Sequence, residues 1–140
     1  MAITAAICNS FKTEILSGVH ESGDTYKIAL YPSSATLSKS TATYSSTGEV
    51  ANGSGYTTGG ATLSGFSVTL DTDTAILDWT VDPTWTTATI TARGALIYNS
   101  TQDDKAVAVL DFGGDIASTA GTFTVTLPAP AAATGLVTIT

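Results

Sequence analysis

Basic side chains are scarce in this chain. Five Lys and Arg stand against twelve Asp and Glu, giving a formal net charge of −7 and a pI near 4.2. Lys12, Lys27, Lys39, Arg93 and Lys105 are scattered and form no patch in sequence. Nucleic acid is therefore not an expected partner, because phosphate binding needs clustered cations. A membrane surface is disfavoured for the same reason. Cys8 is the single cysteine, so no disulfide can form within the chain. His20 is the single histidine, and one His with one Cys excludes an ordinary zinc site. No apolar run approaches the roughly 20 residues of a membrane-spanning helix. The apolar start lacks a basic n-region and is interrupted by Asn9, Ser10, Lys12 and Glu14, unlike a secretory signal. A chain made in the cytoplasm and not exported by its own signal is expected.

Charge of either sign is thin, at 12% of residues, about half the usual share. Threonine takes its place, with 27 residues. A β-branched hydroxyl suits the half-wet face of a sheet. Apolar residues make up 43%, enough for a core, and 140 residues fit one domain, 1–140.

The opening AITAAICNSFKTEIL reads as a helix over 4–17. Thr4 is placed as N-cap and Gly18 as the C′ residue. Ile7, Phe11 and Ile15 fall at i, i+4 and i+8 and share a face, with Ala6 and Leu16 beside them and Lys12, Thr13 and Ser17 opposite. The face is expected to close over a β body as a lid, or to dock on another subunit. TYKIALYP then alternates as a strand ending at Pro32. Residues 33–60 form a long excursion rich in Ser, Thr and Gly, which the aromatics Tyr44 and Tyr56 are expected to pin to the body. Tyr44, Val50 and Tyr56 are its candidate subunit-contact residues.

From residue 61 onward strand alternation dominates, through GFSVTLD, AILDWTV, TTATITARGALIYN, KAVAVLDF, TFTVTLP and LVTIT. The phase shift at Gly94 signals a bulge or bend, and Gly113-Gly114 a second break. The β core is placed at 61–140. With no helix between strands, a β-sandwich or small antiparallel barrel with one short N-terminal helix is expected.

Catalytic chemistry finds little support. His20 beside Glu21 reads as a solvated turn histidine, and no nucleophile-elbow motif accompanies Ser10, Ser17 or Ser22. Cys8 reads as a small buried thiol. Asp71, Asp73, Asp78 and Asp82 lack EF-hand spacing and read as turn and surface carboxylates, with calcium at Asp71 and Asp73 as the lesser alternative. DFGGD at 111–115 lacks the other kinase motifs, and GSGYTTGG lacks a phosphate-loop lysine. Trp79 and Trp85 read as core and rim packing rather than a sugar-stacking platform. A non-enzymatic protein without cofactor is the expectation.

The blocks ICNSFKTEIL, YKIALYPSSATL, TATYSSTGEVANGSGYTTGGATL, TITARGALIYN and KAVAVLDFGGD together resemble a family of short proteins encoded by tailed bacteriophages. The likeness covers nearly the whole chain. It implies a virion structural protein, assembled in the host cytoplasm. The favoured form is a capsid cement or decoration protein, homo-oligomeric and bound to the major capsid protein. The alternative is a tail, baseplate or fibre component that binds host glycans.

Overall fold

The computed structural model describes residues 2–140. In chain order the elements are β1 (Ala6–Ile7), α1 (Asn9–Leu16), β2 (Tyr26–Tyr31), β3 (Ala61–Thr62), β4 (Ser64–Asp71), β5 (Thr74–Val81), β6 (Thr84–Asn99), β7 (Lys105–Thr124) and β8 (Val137–Ile139). The protein is mainly β, with two antiparallel sheets and one short helix. One sheet runs β1-β7-β6-β2-β3, the other β4-β5-β8, in a sandwich-like arrangement.

The β6–β7 hairpin is the spine. Asn99 pairs with Lys105 at its turn and Thr84 with Thr124 at its open end. β7 is continuous where two strands were expected, KAVAVLDF and TFTVTLP. The Gly113-Gly114 break is absorbed as a bulge, since Gly94 pairs with Asp111 while Ala92 pairs with Ile116. The same register shift accounts for the phase change read at Gly94. A Cβ there would meet Ile3 Cγ2 at 2.7 Å, so the N-terminal segment packs directly on its backbone.

β2 lies between β6 and β3 and is covered on both faces. From one face Tyr26 stacks on Phe66 at 5.4 Å between ring centroids and meets Trp79 at 5.3 Å, joining the two sheets. On the other face Tyr98, opposite Lys27, stacks on Tyr44 of the excursion at 4.4 Å. The core is therefore not confined to 61–140. Ile3, Tyr26, Ile28, Leu30, Tyr31 and Leu37 belong to the same buried cluster as β6 and β7.

The helix is shorter than its apolar spacing predicts. Thr4 is not its cap: the Thr4 N–H donates to the Leu37 carbonyl at 2.9 Å, and Ala6 and Ile7 pair with Val109 and Ala108 of β7. A strand edge that offers unpaired backbone groups outcompetes a marginal first helical turn. The helix instead starts after Cys8, whose own side chain makes no capping bond. Its end follows the sequence reading. Gly18 takes φ 73, the Gly18 N–H reaches the Ile15 carbonyl and the Val19 N–H the Glu14 carbonyl, which is the Schellman arrangement. Leu16 does not join the apolar face. It is 88% exposed.

Candidate interaction surface

Phe11 projects from α1 into the core, and Ile15 beside it is half-buried. The helix and the small sheet do not close completely. A cleft of about 180 Å³ lies between Phe11, Ile15, Tyr26, Phe66, Leu77 and Val137. A second groove of about 270 Å³ opens on the outer side of the helix and is walled by Ile7, Ile15, Leu16, Val137 and Ile139. The structure thus brings Ile7, Phe11 and Ile15 to one place, although Ile7 arrives on β1 and not on the helix.

The rim of this region is apolar and open. In the small sheet Leu70 pairs with Ala75 and Ala75 with Ile139, so the three share one face, and Val68–Leu77–Val137 is the adjoining row. Val68 is 63% exposed, Leu70 71% and Ile139 52%. Together with Leu16 they form a strip of large apolar side chains in water. Only the dry end of the same face, at Phe66 and Trp79, is consumed by Tyr26. The strip was not legible in the sequence, because its residues alternate like any core-facing strand.

A polar cluster borders the cleft. His20 is not a solvated turn residue: its side chain is 2% exposed and its ring lies 4.8 Å from that of Phe11. Asn99, fully buried, fixes its tautomer. The Asn99 Oδ1 accepts the Thr101 and Gln102 N–H groups at 3.1 and 3.3 Å, so its Nδ2 faces His20 Nδ1 at 3.1 Å and Asp24 Oδ2 at 2.7 Å. Nδ1 therefore accepts, and Nε2–H of the neutral ring donates to Glu14 Oε1 at 3.2 Å. Nδ1 thus ties the 18–25 turn to the β6–β7 hairpin, and Nε2–H ties it to α1.

The excursion is ordered around Glu49, which sequence reasoning missed. Glu49 Oε2 accepts the Tyr44 hydroxyl at 2.6 Å. Its Oε1 accepts the Tyr56 hydroxyl at 2.6 Å and the Gly59 N–H at 2.8 Å. Burial, and then the Glu49 carboxylate, hold both hydroxyls well above the ordinary phenol range. The Tyr98 hydroxyl donates to the Gly59 carbonyl at 2.6 Å, and the Val50 N–H to the Leu30 carbonyl at 2.9 Å. Tyr44 and Tyr56 do anchor the loop. Of the three contact candidates, however, Tyr56 is buried within this chain and Tyr44 and Val50 are half-buried. The residues between and beside them, 45–48, 51–55 and 57–58, are exposed.

The remaining candidates resolve into structure. Cys8 is buried, and desolvation pushes its thiol up to about 11. Trp79 and Trp85 are core residues. Asp111 of DFGGD accepts Arg93 Nε and the Gly113 N–H, both at 2.9 Å. Asp71 accepts the Ala132 N–H at 2.8 Å and Asp82 the Leu127 N–H at 2.9 Å, which ties the 125–136 connector to the small sheet. Asp78 is buried, not a surface carboxylate, with Oδ1 on the Trp79 N–H. Asp73 is exposed, and among the described residues no three His, Cys, Asp or Glu side chains converge as metal ligands. Likewise, no helix among them is long and apolar enough to cross a membrane. No family model, curated protein or solved structure matches the chain.

Proposed function

We propose that this chain is a non-enzymatic structural protein of a tailed-phage virion, a capsid cement protein that binds the assembled shell. The observation that carries a docking role is the apolar strip of Leu16, Ile139, Leu70 and Val68 beside the groove outside α1. Apolar surface left in water forgoes about 25 cal/mol per Å² that burial against a partner recovers. Contiguous exposed patches of this kind mark interaction sites more often than bare surface. The partner class comes from the resemblance carried by the ARGALIYN and KAVAVLDFGGD blocks, which here build the central hairpin. The mechanism is mass action: a protein that binds only the closed shell stabilises it by RT ln(1 + [L]/Kd).

Quantitative mass spectrometry of the virion whose genome encodes the chain tests the reading. Hundreds of copies per particle, located on the shell, are expected. A few copies at the tail tip would move the assignment to a tail or baseplate component, and absence from the particle would overturn both.

A further inference from the structure

β4 is an unprotected sheet edge. It pairs with β5 on one side only, at Ser64 and without a break from Phe66↔Trp79 to Asp71↔Thr74, all in one register. Gly65, at φ 80, makes no ladder pair and lies outside the uninterrupted stretch. Edge strands are normally blunted by Lys, Pro, bulges or short length. β1, β3 and β8 are two or three residues long, and the open reach of the β6–β7 ribbon is broken by register shifts at Trp85/Ala88, Ala88/Ile90 and Ala92/Gly94. β4 has eight residues, and no charged residue occurs anywhere between Glu49 and Asp71.

We propose that two copies of this chain pair antiparallel through β4, across a two-fold axis at Val68, so that the small sheets of both copies join into one. The occupant is set by self-complementarity. Copies of a chain with net charge −7 repel, and β4 is an edge on which they meet without opposing charges. The backbone fixes the register. Asp71 and Thr74 close the two-residue turn as a hydrogen-bonded pair, so ladder bonds to β5 fall at Thr69 and Ser67. Leu70, Val68 and Phe66 then direct their N–H and C=O groups to the free edge. A two-fold at Val68 sets Val68 against Val68 and Phe66 against Leu70, each as a hydrogen-bonded pair, with Ser67 against Thr69 on the reverse face. Apolar residues meet apolar residues and hydroxyls meet hydroxyls. A shift by one residue would set Val68 against a hydroxyl. This pairing goes beyond the virion role and does not depend on it.

Sedimentation of the full chain is expected to give twice 14.2 kDa. Val68→Lys and Val68→Glu, at an exposed site, are each expected to return it to 14.2 kDa while keeping the circular-dichroism spectrum of the folded chain, because like charges then face each other across the axis. Mixing the two variants is expected to restore the doubled mass. Val68→Cys provides a second check: a hydrogen-bonded antiparallel pair holds its Cα atoms about 5.5 Å apart, within disulfide reach, and the native Cys8 is buried. Oxidation should therefore yield a covalent dimer. A wild-type chain that stays at 14.2 kDa at all concentrations, a dimer indifferent to both charges, or a mixture that stays monomeric would overturn the pairing. Loss of shell binding by an intact dimer would overturn the virion role instead.

Discussion

The Tyr56 hydroxyl donates to Glu49 Oε1 at 2.6 Å while accepting the Leu30 N–H at 2.9 Å. One phenolic oxygen thus joins the centre of β2 to the carboxylate that organises the excursion. Tyr56→Phe keeps the ring's packing against Trp85 but leaves a buried N–H without its acceptor and Glu49 short of one donor. The expected cost is about 3 kcal/mol in urea unfolding. Native-state hydrogen exchange should show the Leu30 amide opening faster. Glu49→Gln retains the shape but puts an amide where one hydroxyl donates, for an expected loss of about 1–2 kcal/mol. An unchanged unfolding midpoint in both variants would show that the hub does not hold the excursion.

Alkaline pH should loosen the fold in two stages. Burial raises the Cys8 thiol from its ordinary 9.0 to about 11, so the unfolded chain releases that proton first and stability falls from pH 9 upward. Burial also holds the Tyr26, Tyr31, Tyr44 and Tyr56 hydroxyls well above their ordinary 10.0, and Tyr98 up to about 12. Above pH 10 the unfolded state binds fewer protons than the folded one, and the decline steepens. The stabilising contribution is complete below pH 9 and disappears as the folded-state values are passed. Melting temperatures from pH 8 to 11 should trace this curve, and Cys8→Ala should remove its early part. A flat profile would contradict the burial of these groups.

Thr72 opens the β4–β5 turn at φ 56. Positive φ at the first of two loop residues is the glycine position of a type II′ turn, and a β-branched residue there is strained. Thr72→Gly should raise stability by about 1 kcal/mol. The reverse holds at Gly60, φ 80, where an added Cβ would run into the Ile28 carbonyl. Gly60→Ala should cost about 3 kcal/mol or more, since strain and a backbone clash add. Chemical denaturation of the two variants should move the midpoint in opposite directions.

Period-2 alternation made β2, β4, β5 and β6 legible, because it follows directly from which residues share a sheet face. The irregularity at Gly94 was legible for the same reason, whereas Gly113-Gly114 read as the end of a strand that in fact continues through it. The start of the helix was not. Ile7 keeps the i, i+4, i+8 spacing with Phe11 and Ile15, and only the presence of the β7 edge decides that it is strand. Glu49 left one sign, as the only charged residue between Lys39 and Asp71 in a hydroxyl-rich loop. Its partners at Tyr44, Tyr56 and Gly59 follow no period. His20 was misread because its burial depends on Asn99, 79 residues away. The exposed strip was hidden because alternation shows that a face is apolar and not whether anything covers it.

Packing and docking on the helix side can be separated. Phe11 is buried, and Phe11→Ala should cost about 3–5 kcal/mol. Leu16→Ser removes a side chain that is already in water and should stay within about 0.5 kcal/mol of wild type. A large loss from Leu16→Ser would mean that the free chain uses this residue for its own core.

The most direct measurement is co-sedimentation of the chain with shells assembled without it, comparing wild type with Leu16→Asp and Ile139→Asp. Both substitutions lie on the strip beside the outer groove, and both are expected to leave the melting curve in place. The wild type should saturate the shells and raise their melting temperature, while either aspartate abolishes both effects. Variants that bind and stabilise as well as wild type would contradict the assignment of this strip as the docking surface.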